Sequence, residues 1–233
     1  MHRVLDVATS LAATAVRPFN GLRVEALGPR PQLPLVLYEF EACPYCRKVR
    51  EALCALDLEV DVRPCPKGGT RFRPTVRERG GKEQFPYLVD PNTGKEMYES
   101  DEIVRTLFAT YGTGEPPRAY RPGLLNDLTA GLASAARPGL GLRAEPSRAP
   151  REPLELWSFE ASPFCRIVRE KLCSLEIPYR LHNVAKGSPS RPAFERRAGR
   201  VQVPFLVDPN TNVEMFESAD IVHYLEATYG AEG

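Results

Sequence analysis

The sequence predicts an α/β protein made of two tandem copies of one β-α-β-α-β-β-α unit, each led by a short helix and a Pro/Gly-rich arm. Two observations carry this reading: the chain repeats itself, and each copy alternates short apolar runs with helical periodicity. Leu35–Leu58 aligns with Leu154–Ile177 at a shift of 119. Fourteen of these 24 positions are identical, among them Pro44/Pro163, Cys46/Cys165, Arg50/Arg169 and Cys54/Cys173. After a one-residue deletion the shift is 118, and Leu88-Val89-Asp90-Pro91-Asn92-Thr93 matches Leu206-Val207-Asp208-Pro209-Asn210-Thr211 outright. The copies end alike, at Ala109-Thr110-Tyr111-Gly112 and Ala227-Thr228-Tyr229-Gly230. The segments ahead correspond more weakly, Leu5–Glu25 with Leu125–Glu145. Residues 1–33 are therefore read as the leading helix and arm of the first unit and 34–112 as its compact domain. Residues 113–122 form a linker by composition, 123–152 the second leading helix and arm, and 153–230 the second compact domain.

Within the first unit, Leu35–Phe40 is a short apolar run expected as a buried strand. Pro44 suits the first position of a helix, where no amide hydrogen bond is needed, and Val49, Ala52, Leu53 and Leu56 recur at helical spacing. Leu58–Val62 alternates as a second strand, and a strand-helix-strand of this length favours a parallel pair. Residues 70–80 are polar and weakly periodic, a candidate second helix. Tyr87–Val89 and Glu96–Tyr98 flank Asp90-Pro91-Asn92-Thr93-Gly94 as a hairpin. Ile103, Val104, Leu107, Phe108 and Tyr111 make an apolar helical face that stops at Gly112.

Composition narrows the function. The chain has 233 residues, 42% apolar content and a net charge of +1, which predicts a folded protein and argues against general nucleic-acid affinity. No apolar run reaches the length of a membrane span. The start, Met1-His2-Arg3 followed by Val4–Val16, faintly resembles a secretory signal, but Asp6 interrupts it and a version of it recurs internally. Six cysteines are too few for a disulfide scaffold. A CxxC at a strand-helix junction instead points to redox chemistry in a reducing, cytoplasmic compartment. No Cys/His cluster completes a metal site, so no metal is expected.

The chemistry centres on Cys43-Pro44-Tyr45-Cys46 and its counterpart Ser162-Pro163-Phe164-Cys165. A cysteine just before a helix meets unpaired amides and the positive end of the helix dipole, which favour thiolate. Cys43 is the expected nucleophile, Cys46 the resolving thiol, and Arg47 and Arg50 are solvated charges that add modest positive potential. Together with Phe85-Pro86 and Glu99-Ser100, these residues resemble the thioredoxin fold, and in detail glutaredoxins and the N-terminal, glutathione-binding domain of glutathione transferases. No all-helical domain of the transferase kind follows either unit.

The resemblance implies glutathione as co-substrate, with thiol and disulfide substrates as partners. It implies cis peptide bonds at Phe85-Pro86 and Val203-Pro204, which turn backbone groups of Phe85 and Val203 toward a bound glutathione. It also implies that Glu99-Ser100 holds the γ-glutamyl end, as Glu217-Ser218 would in a second site with Ser162, Phe164, Cys165, Val203 and Pro204. Two readings of Ser100 stay open, ligand contact and N-cap of the last helix, and they are compatible. Tyr45 and Phe164 line a groove or simply pack. Ser162 is read as a helix cap in preference to an activating hydroxyl. Cys54 and Cys173 read as buried packing residues, and Cys65 as a loop cysteine, with a surface redox thiol as the alternative. One departure stands out: glutaredoxins commonly carry a lysine three residues before the nucleophile, where this chain has Phe40 and Phe159.

The leading expectation is a glutathione-linked thiol-disulfide oxidoreductase with one active and one degenerate copy. The alternatives are a glutathione transferase-like enzyme, and a non-catalytic glutathione- or protein-binding module. Oligomeric state has no signature in the sequence.

Overall fold

Leu35–Glu39 forms strand β1, whose residues are buried but for Val36, and Pro44 opens helix α2 over Pro44–Ala55; helix α1, His2–Val16, precedes both. The computed structural model describes residues 2–231. Strand β2 runs Val60–Pro64, two residues later than its alternation predicts. Asp57 takes a positive φ of 55° and Leu58 N–H returns to Leu53 O at 2.9 Å, so Leu56–Leu58 closes the helix instead of opening the strand. Helix α3 (Arg73–Gly80), strands β3 (Tyr87–Asp90) and β4 (Lys95–Met97) and helix α4 (Ser100–Tyr111) complete the first copy. Gly112 ends α4 with an extended φ of −116°. What requires glycine there is space, since a Cβ would lie 2.7 Å from Leu56 and 2.8 Å from Phe108 O.

A 3-10 turn over Arg118–Tyr120 leads to helix α5, Leu124–Ala135. The second copy then follows as β5 (Leu154–Ser158), α6 (Pro163–Ser174), β6 (Tyr179–Asn183), α7 (Arg191–Ala198), β7 (Phe205–Asp208), β8 (Val213–Phe216) and α8 (Ser218–Tyr229). The fold is thus α/β with two tandem thioredoxin-like units. Each contributes a β4-β3-β1-β2 arrangement with a parallel β1/β2 pair, as the strand-helix-strand spacing predicts.

The two sheets are continuous. Edge strands β2 and β6 pair antiparallel, giving one eight-stranded sheet in the order β4-β3-β1-β2-β6-β5-β7-β8. The register sets Val60 opposite Leu181, Asp61 opposite Arg180 and Val62 opposite Tyr179, so the pseudo-two-fold axis passes between Asp61 and Arg180. These two equivalent positions carry opposite charges and pair through Arg180 Nε to Asp61 Oδ1 at 2.7 Å. One apolar cluster runs through both copies, from Leu35, Leu37 and Phe108 to Leu154, Leu156 and Leu225.

The leading segments cross over. Helix α1 packs on α6 of the second copy, α5 packs on α2 of the first, and α1 and α5 pack on each other. Arg17 and Arg137 staple this crossing. Arg17 Nε donates to Glu51 on α2 at 2.8 Å while Nη1 reaches Asn126 O and Thr129 on α5 at 2.9 and 2.7 Å. Arg137 holds Glu170 on α6 at 2.6 Å and Asp6 O and Thr9 on α1 at 2.6 Å. The arms also exchange, with Arg23 bridging to Lys186 and Arg143 to Lys67.

Beneath the crossing lies a buried charge network, and it corrects the sequence reading of Arg47 and Arg50 as solvated charges. Both are 2% exposed. Arg50 pairs with Glu39 and, at 3.1 Å, with Glu160 of the second copy; Arg169 pairs with Glu160 at 2.8 Å and with Glu41 of the first at 3.1 Å. Removing one partner from such a cluster costs about 3–5 kcal/mol, because a charge is left stranded in the interior. Burial works against ionised Glu160, but Arg169, Arg50 and Arg47 overcome it and hold the carboxyl at about 2. Glu39 shares Arg50 with Glu160 and Glu41, so burial prevails there and pushes it up to about 7.

A raised carboxyl withdraws stability as pH climbs from its unfolded value to its folded one. Glu39 therefore costs the fold up to a few kcal/mol, on the order of 3, between pH 4.5 and about 7. Glu160, depressed, adds stability that is lost only below pH 4.5 and is common to wild type and a Glu39 variant. Thermal melts of Glu39→Gln against wild type should show their Tm difference move in the variant's favour by several degrees across pH 4.5–7.

Candidate functional site

Cys43 is the N-cap of α2, with extended φ and ψ of −73° and 121°, and its sulfur accepts the Cys46 N–H at 3.3 Å. This is the position a serine or aspartate oxygen usually fills at a helix start. The Cys46 thiol, and after it that amide hydrogen bond, hold the Cys43 thiol below its ordinary value, against opposition from burial. Cys46 is fully buried and pushed well up by burial, so it stays a thiol while Cys43 is the better thiolate. The two residues therefore differ in the direction that a nucleophile and a resolving thiol require.

Beside this helix start lies a cavity of about 500 Å³, lined by Tyr45, Lys48, Gln84, Phe85, Pro86, Glu99, Ser100, Asp101 and Asp127. Five residues singled out in the sequence, Tyr45, Phe85, Pro86, Glu99 and Ser100, thus share one wall. Cys43 and Cys46 are not part of it, and Cys43 is only 3% exposed. The Phe85-Pro86 and Val203-Pro204 peptide bonds are both cis. Phe40, standing where the related lysine would be, packs edge-on against Phe85 at 6.1 Å.

Glu99 has a φ of 62°, a conformation that side-chain-bearing residues seldom adopt and that recurs at Glu217 with 69°. The turn points the Glu99 carboxylate at Gln84, whose Nε2 donates to it at 2.5 Å; Gln202 and Glu217 repeat the contact at 2.6 Å. The cap of α4 is Glu99, and Ser100 is the first helical residue, without a side-chain capping bond at that helix start. Of the two open readings of Ser100, the N-cap one is therefore corrected.

Lys48, Gln84, Asp101 and Asp127 were missed in the sequence. Lys48 is buried and its ammonium is clamped by Asp101 and, at 2.6 Å, by Asp127. Asp127 rides on α5, the leading helix of the second copy. The repeat alignment sets Ile167, Ala219 and Val7 against Lys48, Asp101 and Asp127, so the charged clamp is replaced throughout by apolar residues. Comparing the copies position by position is the signal that would have found it.

In the second copy Ser162 Oγ takes the place of the Cys43 sulfur, accepting Cys165 N–H at 3.3 Å as the N-cap of α6. Phe164 is 41% exposed, whereas Cys165 and Ser218 are buried. Cys54 and Cys173 are buried in α2 and α6 and donate to the arm carbonyls of Gly21 at 3.0 Å and Gly141 at 3.3 Å. Cys65 is also fully buried, against Tyr38, Val76 and Tyr87, which overturns the alternative of a surface redox thiol. Among the described residues no group of His, Cys, Asp and Glu is disposed to hold a metal ion, and no helix is long and apolar enough to cross a membrane.

The family described as glutathione S-transferase, N-terminal domain, matches residues 37–117 and again 156–233. The chain belongs to that family and carries its domain twice. Among curated proteins none matches. Among solved structures, a Leishmania protein titled TDR1, a unique trimeric glutathione transferase, is 14% identical, covering 86% of this chain and 68% of its own, with a TM-score of 0.30.

All six cysteines are buried, so selective labelling rests on the Cys43 thiol being held below its ordinary value while burial pushes Cys46, Cys54, Cys65 and Cys173 up. Iodoacetamide near neutral pH should modify Cys43 first among the six cysteines of the native protein, with the remainder reacting only after denaturation; peptide mass mapping reads the order.

Proposed function

We propose that the protein is a glutathione-linked thiol-disulfide oxidoreductase acting through Cys43. The observation that carries this reading is the Cys43 sulfur at the start of α2, held toward thiolate by Cys46, on a helix start whose Tyr45 lines a polar cavity. The Cys43 thiolate attacks the glutathione sulfur of a mixed disulfide. A Cys43–glutathione disulfide forms and the substrate leaves as its thiolate, taking up a proton from water. A second glutathione thiolate, or Cys46 once deprotonated, then attacks that disulfide. The electrons come from glutathione, which ends as its disulfide.

In this reading the Phe85 backbone pairs with the cysteinyl part of glutathione, Tyr45 covers it, and Glu99 and Ser100 receive the γ-glutamyl end. The second copy has Ser162 where a disulfide-forming sulfur is needed, so it does no dithiol chemistry. Its Phe164, Val203, Pro204, Glu217 and Ser218 make at most a binding site.

Family membership and the wall that α5 supplies through Asp127 favour one second reading, transfer of glutathione to an electrophile, with α5 standing in for part of a helical domain. One experiment separates the two. Cys43→Ser should lower reduction of a glutathione mixed disulfide by at least about a hundredfold while Cys46→Ser retains most of it. Conjugation of an aryl halide that survives Cys43→Ser would instead support the transferase. Glu99→Gln should raise KM for glutathione about three- to tenfold with little change in kcat, since the contact is made in bound and reacting states alike.

A further inference from the structure

Cys43 closes a short turn, Phe40-Glu41-Ala42, and the second repeat holds most of that turn's polar groups. Glu41 N–H donates to the Cys173 sulfur at 3.4 Å, and Ala42 N–H to Gly141 O at 3.5 Å. The Glu41 carboxylate takes a two-point contact from Arg169, Nε to Oε2 and Nη2 to Oε1, each 3.1 Å. The first repeat adds Cys43 N–H to Phe40 O at 3.0 Å and Arg50 to Glu41 O at 3.1 Å. Gly141 has no latitude in this arrangement: its φ is +64°, and a Cβ would lie 2.8 Å from the Glu41 Cβ. The thiol of Cys173 donates to the same Gly141 carbonyl at 3.3 Å. The two-fold-related turn, Phe159-Glu160-Ala161, is held by the first repeat through Gly21 O at 3.3 Å and a single contact from Arg50 Nε at 3.1 Å. That turn, however, ends at Ser162. Only one of the two reciprocal grips bears on a nucleophile.

We propose that the second repeat is the positioning frame of the first repeat's nucleophile, with Arg169 as a positioning residue for Cys43 and Cys173 and Gly141 as the anchors of its turn. The sulfur accepts the Cys46 N–H only while the Cys43 backbone keeps its capping conformation, and that conformation is set by the turn before it. A two-point guanidinium contact fixes direction as well as charge, which an ammonium reproduces only in part. With the turn released, the sulfur moves off the amide and its thiolate loses a donor. The degenerate copy then has a role that needs no chemistry of its own.

The inference rests on Cys43 being the reactive thiol. The test reads that thiol directly, so loss of glutathione turnover with a normally reactive Cys43 would sink the functional reading and leave this one standing. Alkylation of Cys43 by iodoacetamide is followed in the full-length protein from about pH 5 to pH 9, with the modified peptide identified by mass. The variants are Arg169→Gln, Arg169→Lys and Cys173→Ala. Arg137→Gln is the control, since it removes a guanidinium of similar burial that holds Glu170 and α1 instead of this turn. Arg169→Gln and Cys173→Ala should raise the alkylation midpoint and slow the reaction near neutral pH by about three- to tenfold. Arg169→Lys should fall between Arg169→Gln and wild type, and Arg137→Gln should melt earlier with an unchanged midpoint. Where Arg169→Gln yields no folded protein, Cys173→Ala and Arg169→Lys decide. An unchanged midpoint and rate in these folded variants overturns the proposal, as does an equal change in Arg137→Gln, which would trace the effect to lost stability alone.

Discussion

Arg50 and Arg169 sit fully buried on either side of the pseudo-two-fold axis, each with a carboxylate of the opposite repeat in its grasp. Neither repeat satisfies its own interior: without the second copy Glu41 loses its two-point partner, and without the first Glu160 loses Arg50 and Arg47. An uncompensated interior charge costs several kcal/mol, and a whole protein is stable by only about 5–15 kcal/mol. The two halves therefore stand or fall together. The shared sheet, the common apolar cluster and the exchanged leading helices are arranged around that requirement.

Within this frame the copies have diverged at a few positions that share a chemical theme. Cys43, Lys48 and Asp101 in the first correspond to Ser162, Ile167 and Ala219 in the second, Asp127 of the second leading helix corresponds to Val7 of the first, and buried Glu39 corresponds to Ser158. The backbone features persist in both: the cis proline, the positive φ of the glutamate before the last helix, and the glutamine that meets that glutamate. Backbone geometry is fixed by packing common to both halves, whereas side chains facing a cavity are free to change. The second copy therefore keeps the cis proline and the glutamate turn and lacks the lysine–aspartate clamp.

Much of the fold was legible because each unit obeys simple periodicities. The apolar run at Leu35, the proline that opens α2, the hairpin at Asp90-Pro91-Asn92-Thr93 and the apolar face of α4 are all local signals. The junction was not legible, since β2 and β6 are ordinary short strands whose free edges happen to match. The arginines of α2 misled for a related reason. Arg47 and Arg50 have the pattern of a solvated helix face, and only the closing of the second repeat makes that face interior. Asp127 was invisible as a site residue because it lies in a leading helix that crosses from one repeat to the other. Tyr45, Pro86 and Glu99, which share the cavity wall, were readable because their spacing follows a single unit.

The opposite charges of Asp61 and Arg180 at the axis have a consequence for what this chain avoids. Two separate chains joined through the same strand, β2 to β2, would set Asp61 against Asp61, and β6 to β6 would set Arg180 against Arg180. Like charges facing across an antiparallel pair disfavour it, whereas the covalently linked pair meets as acid and base. A freed edge that would otherwise template strand exchange between molecules is thereby tuned to recognise its tethered sibling over its own image.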